Sequence, residues 1–167
     1  GDVAQAKKIL QSELKFHPKD SDCLHLLGVI ANKEKDFKLA TTLISQAVSL
    51  RGNNPYYHFN LAVSLKAQNE LEKALECYDK CIHLSPKLAQ AHLNKGIVLK
   101  QLHKIDEAIE SHTTAINLHD KLFSAFLNRG LAYQVKRHLK LAKADFVAAI
   151  NIKPDYAEAY ANLANVH

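Results

Sequence analysis

The 167-residue sequence has no methionine and contains only 5 glycines and 4 prolines. Scarce glycine and proline, together with abundant Ala, Leu, Lys and Glu, favour an all-helical protein with short connections over a sheet. Because the chain lacks an initiator methionine, we expect it to be a piece of a longer protein. Any signal peptide would then lie outside the sequence.

Long hydrophobic runs and a disulfide pattern are also missing. No apolar run approaches the roughly 18 residues that a membrane helix needs, so we expect no membrane partner. The 3 cysteines do not form a disulfide framework, which favours a reducing compartment, and we expect a cytoplasmic protein. The net charge of +5 favours acidic partners without naming one.

Two residue types recur at a fixed interval of 34 residues. The first series is Ala6, Ala40, Ala74, Ala108 and Ala142, and the second is Asn60, Asn94, Asn128 and Asn162. A small residue repeated once per unit marks the place where two helices touch in repeat proteins. We predict complete repeats at 21–54, 55–88, 89–122 and 123–156, the second helix of a preceding repeat in 1–20, and the first helix of a following repeat in 157–167.

Each repeat contains two helical patterns separated by short breaks. The eighth position holds a small residue, as in Gly28, Gly96 and Gly130, which lets the second helix approach closely. The second helix carries the recurrent alanine and a bulky residue four positions later. Residues that stop a helix or turn the chain follow it, namely Pro18, Gly52, Pro86, Asp120 and Pro154.

This arrangement resembles the tetratricopeptide repeat over the whole chain, and the spacing never slips. The departures from the family pattern are local and fall on Glu13, His58, His92, Lys95, His112 and Arg129. The resemblance implies an all-α, right-handed superhelical solenoid of antiparallel helix hairpins. It also implies a non-enzymatic protein-interaction scaffold whose first helices line a concave groove.

The asparagine series occupies the sixth position of the first helix. At about 100° per residue, this position lies about 160° around the helix from the eighth position, and so faces away from its own hairpin. An Asn side chain can pair with both the C=O and the N–H of an extended peptide. A similar asparagine ladder in O-linked N-acetylglucosamine transferases implies peptide binding here. The alternative is that these asparagines are simply hydrated residues common at this position.

Apolar residues flank the asparagines at the fifth and ninth positions. They are Phe59, Val63, Leu93, Ile97, Leu127 and Leu131. We expect a stripe that a monomer would expose and that would bind an extended peptide or an amphipathic helix in the groove. The alternative is that a narrow groove hides part of this stripe.

Other kinds of site are less well supported by the residues. The family's clamp for chaperone tails is not expected, because the fifth and ninth positions are mostly apolar. Basic residues near the turns inside the hairpins, among them Lys100, His103, Lys136 and Arg137, indicate a solvated rim, and the alternative is an edge for an acidic partner or nucleic acid. Cys77 and Cys81, with His58 and His92, are interpreted as core residues rather than metal ligands. We predict no cofactor, because no phosphate loop, nucleophile turn or zinc-protease motif is present.

Two alternative functions remain open. The segments from His25 to Ala31 and from Pro55 to Leu61 are similar to repeats that precede the catalytic part of bacterial glycosyltransferases. The chain could therefore recruit substrates for a larger enzyme. It could instead form homo-oligomers through its exposed end helices.

Overall fold

The computed structural model describes residues 2–166, so Gly1 and His167, which belong to the first and last predicted segments, lie outside the described residues. Ten helices and no strand occur within 2–166. They are α1 (Asp2–Phe16), α2 (Ser21–Lys33), α3 (Phe37–Leu50), α4 (Pro55–Ala67), α5 (Leu71–Leu84), α6 (Ala89–Gln101), α7 (Ile105–Leu118), α8 (Phe123–Val135), α9 (Leu139–Ile152) and α10 (Ala157–Ala164). The prediction of an all-α chain is confirmed.

The chain divides into two compact units, Gly1–Pro86 and Lys87–His167. In the first unit α2 pairs with α3 and α4 with α5, and in the second α6 pairs with α7 and α8 with α9. Each pair is a helix hairpin. The helix that opens each predicted repeat, called its first helix, is α2, α4, α6, α8 or α10.

Short polar side chains start several of these helices. The Asp20 carboxylate accepts from the backbone N–H groups of Asp22 and Cys23, both at 2.9 Å, and the Asn54 side chain accepts from Tyr56 N at 3.0 Å. These bonds satisfy amide groups that have no partner inside the helix. Pro55 follows Asn54 at a position where its missing N–H costs nothing.

In the hairpins, a small residue on the first helix packs closely against a bulky side chain on the second helix. A Cβ atom placed on Gly28 would lie 2.4 Å from Ile44, and one placed on Gly130 would lie 2.6 Å from Phe146. Four of the recurrent alanines, Ala40, Ala74, Ala108 and Ala142, have no exposed surface, whereas Ala6 on α1 is exposed. The predicted close approach of the two helices is therefore confirmed.

The turn inside each hairpin contains a residue in the left-handed region that is not glycine. These residues are Lys35, Asn69, His103 and Arg137, with φ between 60° and 63°. The next residue closes the turn by donating its N–H to a carbonyl five residues earlier, as His138 does to Tyr133 at 2.9 Å. Glycine would adopt this conformation at the lowest steric cost.

Candidate functional site

The four asparagines of the predicted ladder lie on first helices and are all half-buried. Asn60 lies on α4 in the first unit. Asn94, Asn128 and Asn162 lie on α6, α8 and α10 in the second unit. Because the surroundings of these side chains differ, each unit is described separately.

In the first unit the Asn60 side chain is already engaged. Its Nδ2 donates to Nε2 of His25 at 2.8 Å. The His25 ring lies against Tyr57 with ring centroids 4.6 Å apart, and burial lowers the pKa of His25 below its ordinary value. A neutral imidazole accepts this bond at neutral pH, so one donor of Asn60 is used within the chain. No sequence pattern marked His25 as this partner, because it lies one repeat away from Asn60.

The asparagines of the second unit have more of their bonding capacity left. Asn128 donates from Nδ2 to the carbonyl of Ser124 in its own helix at 2.8 Å, which leaves its carbonyl oxygen and one N–H. Within the described part of this unit, the side chains of Asn94 and Asn162 have no hydrogen-bond partner. Three consecutive first helices therefore carry an amide that can bind a further group.

The expected exposure of the apolar flank is wrong for two of its six residues. Leu93 is only 2% exposed and packs with Ala115 and Ala125, while Leu127 is 4% exposed and belongs to the cluster that contains Ala159. The fifth position faces the following first helix as well as its own second helix, because Ala125 and Ala159 begin the next repeats. These leucines are core residues of the second unit.

The other four flanking residues are half-buried rather than exposed. They are Phe59, Val63, Ile97 and Leu131. The Phe59 ring meets the Tyr78 ring edge-on, with centroids 5.9 Å apart. The alternative that part of the stripe is hidden describes this surface better than a continuous exposed stripe does.

Some of the charged residues at the intra-hairpin turns form ion pairs. Lys136 pairs with Asp106, and Lys104 lies 3.9 Å from Glu107. Lys7 pairs with Glu34 at 2.6 Å. Pairs this exposed contribute little to stability, as expected of a solvated rim.

The cysteines of α5 are poor metal ligands. Burial raises the pKa of both Cys77 and Cys81 to about 11, so both thiols are protonated at neutral pH. Among residues 2–166, no group of three or more His, Cys, Asp or Glu side chains is arranged to hold a metal ion. His58 is 8% exposed and donates from Nε2 to the carbonyl of Gly52 at 2.8 Å, which gives it a structural role.

Two polar groups in the core of the second unit depart from the usual apolar packing. Arg129 forms a bidentate pair with Asp145, with both bonds at 2.8 Å, and also donates to Thr113 at 3.1 Å. This network joins α7, α8 and α9. His112 has no exposed surface, and neither of its ring nitrogens has a hydrogen-bond partner.

An apolar groove of about 510 Å³ lies between α1 and α2 in the first unit. Val3, Ile9 and Leu26, which line it, are 47%, 61% and 47% exposed. None of the helices in the described region combines the length and hydrophobicity needed to cross a membrane.

Profiles of the tetratricopeptide repeat match residues 55–88 and 123–156. Among curated proteins, protein O-mannosyl-transferase TMTC1 of Mus musculus is 31% identical over 95 residues, which is 54% of this chain and 10% of that protein. The chain therefore spans about a tenth of the length of this relative.

Several solved structures share the fold. The crystal structure of MamA matches this chain with a TM-score of 0.86 at 23% identity, and the match covers 95% of this chain and 92% of the MamA chain. YrrB, a tetratricopeptide-repeat protein with an unusual peptide-binding site, has a TM-score of 0.83 at 19% identity, and the match covers 96% of this chain and 82% of the YrrB chain. TTC0263 of Thermus thermophilus has a TM-score of 0.78 at 21% identity, and the match covers 99% of this chain and 91% of the TTC0263 chain. The predicted solenoid of helix hairpins is thereby confirmed.

Proposed function

Because the chain belongs to the tetratricopeptide-repeat proteins, we propose that it is a non-catalytic interaction module that binds an extended peptide along the first helices of its second unit. Asn94, Asn128 and Asn162 pair with the peptide backbone in this proposal. The observation that carries it is the recurrence of a half-buried amide, with bonding capacity to spare, on three consecutive first helices. The peptide-binding site of YrrB, a protein of the same fold, supports it by analogy.

The chemistry of an amide suits this task. Each Asn can accept from a peptide N–H and donate to a peptide C=O, so the interaction depends little on the peptide's side chains. A net hydrogen bond contributes about 1 kcal/mol. Ordering a flexible peptide offsets much of the gain, and we expect a dissociation constant around micromolar for a short peptide.

The role of the apolar flank is narrower than the sequence indicates. Leu93 and Leu127 are buried, so they hold the first helices in place rather than contact a peptide. Ile97 and Leu131 are half-buried and remain as apolar contacts beside the asparagines. Asn60, Phe59 and Val63 belong to the first unit, where the amide of Asn60 is bonded to His25.

A pull-down from the source lysate tests the proposal. The parent chain is compared with an Asn94→Ala, Asn128→Ala variant and with a control, Asn117→Ala, Asn151→Ala, whose two asparagines are exposed on the second helices α7 and α9. Bound proteins are identified by mass spectrometry. We expect partners that bind the parent and the control but not the first variant. The same partners on all three would contradict the proposal.

A second candidate function is substrate recruitment within a larger glycosyltransferase-type enzyme. The 31% identity with part of an O-mannosyl-transferase favours it. The test is to determine the full reading frame and, where a catalytic domain is present, to measure glycosyl transfer to a protein substrate and to a short peptide. Loss of activity on the protein alone in the Asn94→Ala, Asn128→Ala variant would support recruitment. A variant that is as active as the parent on both the protein and the short peptide would contradict recruitment.

A third candidate is self-association through the exposed face of α1. The exposed Val3, Ile9 and Leu26 favour it. Sedimentation velocity over a range of concentrations should show an oligomer that Ile9→Lys disrupts. The control Val147→Lys alters a residue that is 39% exposed on α9. A parent chain that stays monomeric would exclude this role.

A further inference from the structure

The second unit contains a groove beside the asparagine face, the surface formed by Asn94, Asn128 and Asn162, and Leu131 borders both. It has a volume of about 580 Å³ and lies where α6 ends, α7 begins and α8 ends. None of Asn94, Asn128 and Asn162 lines it.

The floor of this groove is aliphatic. Ile105 and Leu131 are half-buried, and Val135, the last residue of α8, is 61% exposed. An exposed branched side chain beside two half-buried ones offers apolar surface that a partner's side chain can cover.

Basic side chains border the groove, and no carboxylate lines it among residues 2–166. The basic residues are Lys100, His103 and Arg137. The neighbouring carboxylates are engaged by other lysines, since Asp106 pairs with Lys136 and Glu107 lies near Lys104. The basic residues of the groove are therefore not neutralised by an ion pair within the described part of this unit.

Lys100 is the least solvated of these basic side chains. Burial lowers the pKa of Lys100, and the charge of Glu158 only partly opposes this effect. Glu158 itself accepts a hydrogen bond from the hydroxyl of Tyr156 at 2.8 Å. A half-buried ammonium without a carboxylate in contact is stabilised by any anion that reaches it.

The two turn residues are held in fixed positions. His103 and Arg137 have φ values of 60° and 61°, and the turns that carry them are closed by hydrogen bonds of 2.9 Å. A side chain on such a turn loses less conformational freedom on binding than one on a flexible loop.

The corresponding positions of the first unit have a different character. Asn32 stands in the place of Lys100, donates to the Asn60 carbonyl at 3.4 Å and accepts from Ser64 at 2.9 Å. Phe37 replaces Ile105 and Ala67 replaces Val135. The first unit also has a half-buried ammonium, Lys66, whose pKa is lowered by burial. The second unit differs in its floor, where Ile105 and the exposed Val135 stand in place of Phe37 and Ala67.

We propose that this groove binds an acidic segment of a partner protein in which carboxylate side chains alternate with aliphatic ones. The carboxylates pair with Lys100, His103 and Arg137, and the aliphatic side chains cover Ile105, Leu131 and Val135. A single-stranded nucleic acid fits less well, because its bases stack on aromatic rings and this floor has none.

The experiment measures fluorescence anisotropy of a labelled peptide of about ten residues that alternates Glu and Leu, a length that suits an extended segment. Lys100→Glu with Arg137→Glu should weaken binding at least about tenfold by reversing two charges that face the peptide. The matched control is Lys66→Glu with Lys35→Glu, which makes the same charge change at the same two repeat positions in the first unit. It should change affinity less than about twofold, since both residues lie outside the groove.

Three further comparisons decide between occupants. A peptide alternating Glu and Ser should bind at least about tenfold more weakly, because it cannot cover the aliphatic floor. A single-stranded DNA oligomer should not displace the Glu–Leu peptide at equal concentration. In the Asn94→Ala, Asn128→Ala background, Lys100→Glu with Arg137→Glu should still weaken binding of the Glu–Leu peptide at least about tenfold, which separates this groove from the asparagine face.

The proposal is overturned by several results. These are equal weakening by the control charge reversal, equal binding of the Glu–Ser peptide, displacement by the DNA oligomer, or a charge reversal that no longer weakens binding in the Asn94→Ala, Asn128→Ala background. If the Lys100→Glu, Arg137→Glu variant does not fold, methyl NMR spectra of the parent chain decide instead. The peptide should then shift the signals of Ile105, Leu131 and Val135, and unshifted signals would overturn the proposal.

Discussion

Replacing His112 by Phe should stabilise the second unit and remove part of its dependence on pH. His112 is fully buried on α7, and neither ring nitrogen has a hydrogen-bond partner. In the next hairpin the same repeat position holds Phe146, which is also fully buried. A Cβ atom on Gly96 would lie 2.5 Å from the His112 ring, much as one on Gly130 would lie 2.6 Å from Phe146. The space available for an aromatic ring is therefore similar at positions 112 and 146.

The magnitude has two parts. Leaving a polar group buried without a partner costs about 1–3 kcal/mol, so His112→Phe should raise the free energy of unfolding at neutral pH by about 1 kcal/mol or more. The second part depends on pH. Burial, reinforced by the charges of Lys100 and Arg129, lowers the pKa of His112 to about 3.

The sign of the pH effect follows from proton uptake. Below about pH 6.5 the imidazole of the unfolded chain takes up a proton, while the folded chain does not until about pH 3. The free energy of unfolding therefore falls as pH falls through this window, by about 1.4 kcal/mol per pH unit. Between pH 7 and pH 5 the loss due to His112 is about 2 kcal/mol.

The assay is urea unfolding followed by circular dichroism at several pH values between about 5 and 8, a range that includes the titration of the unfolded imidazole and the upper part of this window. The difference in free energy of unfolding between His112→Phe and the parent should grow by about 2 kcal/mol from pH 7 to pH 5. The control His83→Phe removes an exposed histidine from α5, so any change that it produces is not due to a buried imidazole. A His112→Phe variant that follows the parent's pH dependence, or that is less stable at pH 7, would show that the buried imidazole does not carry this cost.

Three further substitutions test other packing arguments by the same unfolding assay. Asp145→Ala should destabilise the chain by about 3 kcal/mol, because Arg129 is only 18% exposed in its side chain and would lose its carboxylate; a cost below about 1 kcal/mol would contradict this. Lys35→Gly should stabilise by about 0.5–1 kcal/mol by relieving a left-handed φ of 63°, whereas Asn69→Gly should change stability less because Asn tolerates this region. Tyr78→Phe should be neutral or stabilising by about 1 kcal/mol, because the buried hydroxyl has no partner, and a large loss of stability would reveal a hydrogen bond to that hydroxyl.

The helix pairs could be predicted from the sequence because a fixed interval constrains them. The recurrent alanine and the small residue at the eighth position mark the contact within a hairpin, and both positions are buried in helices α2 to α9, whereas Ala6 on α1 and Ala164 on α10 are exposed. The turn formers after each second helix also agree with the helix ends, as Pro86 lies two residues beyond Leu84. Local chemistry and periodicity are sufficient for these features.

The state of the candidate site could not be predicted in the same way. The bond between Asn60 and His25 joins residues 35 positions apart and depends on the rotamers of both side chains. The burial of Leu93 depends on Ala125 in the next repeat, a contact that helical periodicity within one helix does not report. The left-handed turn residues were missed because the chain has Lys, His and Arg where glycine would be the signal.

Peptide binding by the asparagine face is tested most directly by measuring the dissociation constant of a single peptide for the parent and for the Asn94→Ala, Asn128→Ala variant. The ratio of the two constants is the result that matters. That peptide is selected from a random library on the parent chain, and its binding is followed by fluorescence anisotropy. We predict a dissociation constant at least about tenfold larger for the variant, since two or more backbone hydrogen bonds are lost. A ratio within about twofold, equal to that of the Asn117→Ala, Asn151→Ala control, would contradict the proposed role of the asparagines.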